Sequence, residues 1–316
     1  MPWVGGLMDS IKVFAPATIG NIGPGFDVLG LAIEGLGDSI EVRKKGDEVK
    51  IIEITGDGGK LPKEADKNTA GMAVQEVLKR IGASQGVEIK LHKKMPSASG
   101  LGSSAASASG AAFAVNRLFG KNKLNDYEVL IAATLAESKV SGGFFADNTA
   151  PCLYGGATLT RSYEPLDVVK LGSIDELVVV LAMPKYELLT KVARGVLPER
   201  VPLKDFVSNM ANACLVASAF TQNNYALFSR CLNDKIIEPA RAHLIPGFYD
   251  VKNAALKAGA DGCTISGAGP AIFAITNDEG KAEKIAEAMK NAFEKNRLEC
   301  STKVTRCCNK GVQEIE

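Results

Sequence analysis

Residues 96–112 read Pro-Ser-Ala-Ser-Gly-Leu-Gly-Ser-Ser-Ala-Ala-Ser-Ala-Ser-Gly-Ala-Ala, and every side chain except Pro96 and Leu101 is small. The run follows Val87-Glu-Ile-Lys-Leu-His-Lys-Lys, which alternates apolar and polar residues as a half-buried strand does. Beyond it, alanines lead on to Val115, Leu118 and Phe119, a helix-like window. The glycines therefore sit on a loop that opens a helix. The first turn of a helix presents N–H groups with no internal partner, and the helix dipole adds partial positive charge there. Gly100 and Gly102 have no side chains to keep an anion away, so the junction reads as a phosphate site. A plain small-residue junction before a closely packed helix has the same composition, and spacing alone does not separate the two.

Two familiar phosphate motifs fit poorly. Gly100-x-Gly102-x-x-Ala105 matches the loose dinucleotide fingerprint, which expects a strand and an acidic residue about 20 residues further on. That region, Gly120 to Glu128, is a polar turn with no apolar strand before Asp126. The common P-loop is absent too, because no Lys-Ser/Thr pair follows the second glycine. Such a loop needs the phosphate charge neutralised another way, most simply by a metal.

The chain of 316 residues is long enough for two domains or one large one. Its apolar content of 46% and net charge of +1 exclude disorder and give no sign of nucleic-acid binding. Seven cysteines without paired CxxC spacing and only two histidines, His92 and His243, argue against a structural zinc site. They read as reduced thiols of a cytoplasmic protein. Adjacent Cys307 and Cys308 are either a redox pair or a strand at the solvent edge. No apolar stretch is long enough for a membrane helix. Residues 1–10 read as an extension rather than a signal peptide, since no charged region precedes the apolar residues. Met8 is an alternative start to Met1, and Trp3 reads as incidental.

Periodicity predicts strands near 11–15, 39–45, 49–55, 86–92, 155–162, 177–183 and 299–306, with a strand–turn–strand over 262–276. It predicts helices over 68–81, 103–119, 125–139, 187–196, 204–220, 222–232, 247–258 and 279–295. That is an α+β pattern, not a regular βα alternation. A boundary near residue 170 divides it, with no low-complexity linker and no internal repeat. The cleft between the halves is the expected ligand site.

Four segments, in order, carry a family resemblance: Phe14 to Gly30 (FAPATIGNIGPGFDVLG), Pro96 to Ala106 (PSASGLGSSAA), Ala146 to Gly156 (ADNTAPCLYGG), and Asp234 to Gly247 followed by Gly262 to Pro270. Pro96-x(3)-Gly-Leu-Gly-Ser-Ser-Ala-Ala resembles the nucleotide loop of the GHMP kinases, the galacto-, homoserine, mevalonate and phosphomevalonate kinases. The other segments resemble the homoserine branch. The resemblance implies an α+β, two-domain GHMP kinase fold. Residues 11–170 would form the N-terminal nucleotide-binding domain and 171–316 a ferredoxin-like C-terminal domain, usually in a homodimer. It implies ATP and Mg²⁺ as cofactors and L-homoserine as acceptor, phosphorylated for threonine synthesis. Another small hydroxylated acid as acceptor, or a catalytically inactive binding protein of the same fold, are the alternatives.

By that resemblance Pro96, Ser99, Gly100, Leu101, Gly102, Ser103, Ser104 and Ala105 hold ATP, Asn68 lies against the base, and Ser104 and Glu137 hold Mg²⁺. Asn68 also suits a helix N-cap, and Glu137 a solvated helix end. For the acceptor the resemblance points to Asn21, Asp27, Thr190, Arg194, Arg241 and Gly267. Asp27 suits an ammonium, and either Arg194 or Arg241 suits a carboxylate, because guanidinium meets carboxylate in a two-pronged geometry. Thr190 and Arg194 are four apart and would share a helix face. Asn148 stands where several GHMP kinases carry Asp, and an amide is no proton acceptor at neutral pH. That implies catalysis by positioning and charge stabilisation. Neighbouring Asp147 is either a base or a loop-fixing residue. Homoserine kinases typically place His two residues before the Asp-Asn pair. This chain has Phe145 there, which removes one polar contact from the acceptor pocket.

Overall fold

The computed structural model describes residues 9–96, 98–120 and 123–316. Trp3 and the choice between Met1 and Met8 lie outside the described residues, and Ser10 already belongs to the first strand. The first unit is built from β1 (Ser10–Gly20), β2 (Leu29–Lys44), β3 (Val49–Thr55), β4 (Val87–His92), β5 (Ala157–Tyr163) and β6 (Leu166–Gly172). Its helices are α1 (Thr69–Ile81), α2 (Ser103–Leu118), α3 (Asp126–Ser141) and α4 (Thr149–Tyr154). Local chemistry sets their ends. Asn68 caps α1 by accepting from Ala70 N, and Gly82 closes it in a left-handed conformation. Asn125 and Glu128 form a reciprocal capping box on α3.

Alanine, serine and glycine dominate α2, and twelve of its 16 residues are buried. Small side chains let it lie close on the sheet. A Cβ on Gly110 would come within 2.5 Å of Ile40 Cδ1. The small-residue run thus packs tightly on the sheet, while residues at its start line the cleft described below.

The second unit comprises β7 (Val178–Pro184), α5 (Thr190–Gly195), α6 (Leu203–Thr221), α7 (Tyr225–Phe228), α8 (Ile237–Ala242), α9 (Phe248–Lys257), β8 (Gly262–Ile265), β9 (Ile272–Thr276), α10 (Glu279–Lys295) and β10 (Cys300–Arg306). Its antiparallel sheet runs β10-β7-β9-β8. Alternation along the strands separates two cores. Val178, Val180, Ile272 and Ala274 pack with Phe248, Ile285, Met289 and Phe293. Val179, Leu181, Phe273 and Ile275 face the other way, into the core of the first unit with Phe220 and Phe228. Both faces of this sheet are therefore covered. Among the described residues no helix is long and apolar enough to cross a membrane.

The chain returns to its beginning in β11 (Gln313–Glu314), which pairs with Val13 and Phe14 of β1. The first sheet runs β11-β1-β2-β4-β3, with β5 on the start of β2 and β6 beyond it. Residues 313–314 thus lie in the sheet of the first unit although they fall within 171–316. Other expectations need correction. The strand read at 39–45 starts at Leu29, because Gly30, Gly35 and Gly37 hide the alternation of its first half. β6 and α4 were not expected, and the helices read at 187–196 and 222–232 shrink to α5 and α7. Cys307 is buried and bridges to Ile33 rather than lying at a solvent edge. Burial pushes its thiol up to about 12, which leaves it unreactive. All seven cysteines are free thiols.

Candidate active site

The loop between β4 and α2 is pinned from both units. Leu101 O accepts from Thr18 N at 3.1 Å. Gly100 O accepts from Ser266 Oγ at 2.7 Å, and Ser99 O from Ala271 N at 3.0 Å. Two positions must be glycine. Gly102 has φ 68°, and a Cβ there would sit 2.0 Å from Thr18 Oγ1. On Gly100, φ 80°, it would sit 2.3 Å from Ser266 O. No side chain caps α2, so its first-turn N–H groups remain open to an anion. They border a cleft of about 510 Å³ between the two units. Asn68, Ser99, Gly100, Gly102, Ser103 and Ser104 line it. Pro96, Leu101 and Ala105 do not: Leu101 and Ala105 are fully buried and brace the loop from behind. Asn68 lines the cleft and also caps α1, with its Nδ2 donating to Pro62 O at 2.9 Å.

Ser104 and Glu137 meet across α2 and α3, with Ser104 Oγ donating to Glu137 Oε1 at 2.8 Å. Glu137 Oε2 is buried and has no partner. Burial raises this carboxyl to about 7, against the pull of the Ser104 hydroxyl; Asp147 adds to the rise and Lys93 opposes it. An orphaned acidic oxygen beside a hydroxyl is a donor set that suits a hard divalent cation. The residues fit Mg²⁺.

At the other end of the cleft the turn after β1 is held in an unusual shape. Asn21, Ile22 and Asp27 have φ of 72°, 45° and 59°, and a β-branched residue there is strained. Asn21 Nδ2 donates to Gly267 O at 2.8 Å, and its Oδ1 accepts from Asp27 N at 3.0 Å. The Asp27 carboxylate receives both Nη atoms of Arg194, at 2.8 and 3.0 Å. Arg194 is thereby paired within the protein. Arg241 is not. Only 2% exposed, it donates Nε to Ala193 O and Nη1 to Gly267 O, both at 3.1 Å. No carboxylate among the described residues pairs with it. Burial and the neighbouring Arg194 lower its pKa to about 10, so it stays charged at neutral pH. A buried cation without a counter-ion, at the edge of a cleft, calls for an anionic ligand. Thr190, at the start of α5, lines the same end.

Phe145 does more than remove a polar contact. The Arg194 guanidinium lies over its ring at 4.0 Å. The ring in turn packs edge-on against Tyr163, 5.7 Å away. Tyr163 Oη donates to the Asp27 carbonyl. The aromatic pair supports both members of the Arg194–Asp27 contact.

Asp147 and Asn148 stand between the two ends. Asn148 Oδ1 accepts from Thr18 Oγ1 at 2.8 Å, and its Nδ2 donates to Asp147 Oδ2 at 3.3 Å. Glycine makes room for this pair: a Cβ on Gly20 would sit 2.5 Å from Asp147 Oδ2. Burial, with Asp27 nearby, raises Asp147 to about 7, against Arg194 and Arg241. The unfolded chain loses this proton near pH 4 while the folded protein keeps it. Unfolding free energy should therefore fall as pH rises from about 4 to 7, by on the order of 4 kcal/mol from this group, and level off above. Asp147→Asn should flatten that part of the slope in urea titrations at successive pH values. An unchanged slope would mean that the carboxyl is ionised throughout.

Sequence reasoning missed Asp38 and Lys93, which lie under the phosphate loop 55 residues apart, and Phe26, whose ring faces both Arg194 and Arg241. No short spacing announces any of them.

Comparison with known proteins gives the family. Residues 68–156 match the family described as GHMP kinases N terminal domain, and 216–295 match GHMP kinases C terminal. The chain belongs to the GHMP kinases. Within them it falls in the homoserine kinase family. It is 41% identical to the homoserine kinase of Chlorobium phaeobacteroides strain BS1, over 98% of this chain and all of that one. It is 44% identical to that of Arabidopsis thaliana, over 90% of this chain and 78% of the relative. The crystal structure of homoserine kinase from Cytophaga hutchinsonii superposes with a TM-score of 0.94 at 44% identity, covering all of both chains.

Proposed function

We propose that the cleft transfers the γ-phosphoryl group of ATP to the hydroxyl of L-homoserine, giving O-phospho-L-homoserine and ADP. The observation that carries this reading is Arg241, a buried guanidinium without a counter-ion, set across the cleft from an open helix N-terminus. One end receives phosphates and the other an α-carboxylate. Asp27 receives the α-ammonium of the same acceptor, and Arg194, released from Asp27, is free to join Arg241 on the carboxylate. The acceptor hydroxyl then faces Asn148.

The hydroxyl oxygen attacks the γ-phosphorus, and the bond from that phosphorus to the ADP oxygen breaks. Asn148 orients the hydroxyl but takes no proton, so the proton leaves to the transferred phosphate or to solvent. Most of the rate comes from alignment and fixed charge. Ser104 and Glu137 would hold Mg²⁺, which supplies charge stabilisation on the phosphate oxygens when bound. Asn68 faces the nucleoside, and Thr190 and Asn21 complete the acceptor pocket. A cytoplasmic homodimer belongs to the same reading. Exposed apolar side chains on α6, among them Leu203, Phe206 and Met210, support the dimer; a monomeric mass by light scattering would remove it.

A coupled ADP-release assay over a panel of small hydroxylated acids tests the reading. Homoserine should be the best acceptor. Turnover with a different acid, or with none, overturns it.

Phe145→Leu tests the role of the aromatic support. Losing the cation–π contact, about 0.5–1 kcal/mol at a partly exposed site, should raise the homoserine KM about two- to fivefold and leave the ATP KM unchanged. A lower homoserine KM would show that Phe145 obstructs the acceptor instead.

A further inference from the structure

Asp38 and Lys93 form a buried ion pair directly beneath the phosphate loop, with side chains 1% and 2% exposed. Asp38 stands in β2 and Lys93 one residue past the end of β4. Every oxygen and donor of the pair is engaged. Asp38 Oδ1 accepts from Lys94 N at 2.8 Å and Met95 N at 3.2 Å, where the chain enters the loop. Asp38 Oδ2 accepts from Ser103 Oγ at 3.2 Å, where the chain leaves it. Lys93 Nζ donates to Asp38 Oδ2, to Ser103 O at 2.8 Å and to Ser107 Oγ at 2.6 Å. Lys93 also lines the cleft, and its charge reaches Glu137.

We propose that Asp38 is a positioning residue for the nucleotide: one buried carboxylate ties both ends of the phosphate loop together and holds Lys93 beneath it. The glycine-bearing stretch Pro96–Gly102 has no lysine, and Lys93 stands just before it. The pair provides a fixed, oriented dipole that anchors the loop at both ends, in a site where desolvation makes such interactions more effective. A buried ion pair adds little to stability on its own, so a role in ligand binding explains its placement better than a role in folding. The inference rests on reading the loop as the ATP site.

The test uses Asp38→Asn, Lys93→Met and the double variant, with ADP affinity by calorimetry, homoserine KM, and melting temperature. Each single change leaves one buried charge without its partner and should lower the melting temperature. The double variant has no orphan charge and should recover most of that loss. Its ADP affinity should nevertheless stay about tenfold or more below wild type, with homoserine KM within about twofold. If Asp38→Asn does not fold, the neutral double variant alone decides. Wild-type ADP affinity in the double variant, or parallel loss for both substrates, would overturn the role of the pair. Absence of ADP binding in the wild type would instead overturn the kinase reading itself.

Discussion

Glu137→Gln should lower kcat by two to three orders of magnitude while leaving the protein at least as stable as before. The two effects have opposite signs for one reason. In the unliganded protein Glu137 is a partly neutral carboxyl held near its titration point by burial, with Oε2 unsatisfied. Replacing it by a neutral amide of the same shape keeps an acceptor for Ser104 Oγ and removes the cost of a buried charge. With nucleotide bound, the same position faces concentrated phosphate charge, and an amide is a much weaker ligand for Mg²⁺ than a carboxylate. Losing one preorganised charge at a phosphoryl-transfer site costs about 10²- to 10³-fold. Turnover and urea denaturation, measured on one preparation, separate the two effects. An unchanged kcat at limiting Mg²⁺ would remove Glu137 from the metal site. A large loss of stability would make it a structural residue.

Arg241→Leu should reduce kcat/KM for homoserine about 30- to 150-fold, equivalent to about 2–3 kcal/mol for a buried charge-assisted contact. The ATP KM should move much less, because Arg241 donates to Ala193 O and Gly267 O and to no atom of the phosphate loop. Its two carbonyl partners, Ala193 O and Gly267 O, complicate the result, since Gly267 O also accepts from Asn21. Arg241→Lys separates the roles: it keeps a cation and loses the fork. If Lys restores much of the homoserine affinity, charge dominates; if it behaves like Leu, the two-pronged geometry does. Equal losses for ATP and homoserine would show that Arg241 holds the pocket together rather than the substrate.

Features set by neighbouring residues were legible in the sequence. The strand–loop–helix around Gly100 and Gly102, the Asn68 cap and the helix ending near Glu137 all follow from local spacing, and the structure contains each of them. Features set by residues distant in the chain were not. The first half of β2 is rich in glycine and shows no strand alternation in sequence; only its pairing with β1 and β5 makes it a strand. Lys93 sits in a His-Lys-Lys run that looks like a solvated face, yet it is buried against Asp38. Arg194 suits a carboxylate by sequence, but its partner Asp27 is 167 residues away and no spacing points to it. Phe145 is a departure that sequence describes only as a missing polar contact. Its place under Arg194 needs the fold.

Strand β11 has a consequence for how the protein is made. Its two residues pair with β1, separated from it by some three hundred residues, and Cys308 N donates to Ala32 O just before it. Synthesis places some three hundred residues between β1 and β11. Until β11 has emerged the outer edge of β1 lacks that neighbour, and an open strand edge invites pairing with other chains. The sheet of the phosphate-binding half is completed only after the second unit has been synthesised. Closing the edge of β1 therefore waits on a segment that follows the whole second unit, which couples completion of the first sheet to synthesis of the second.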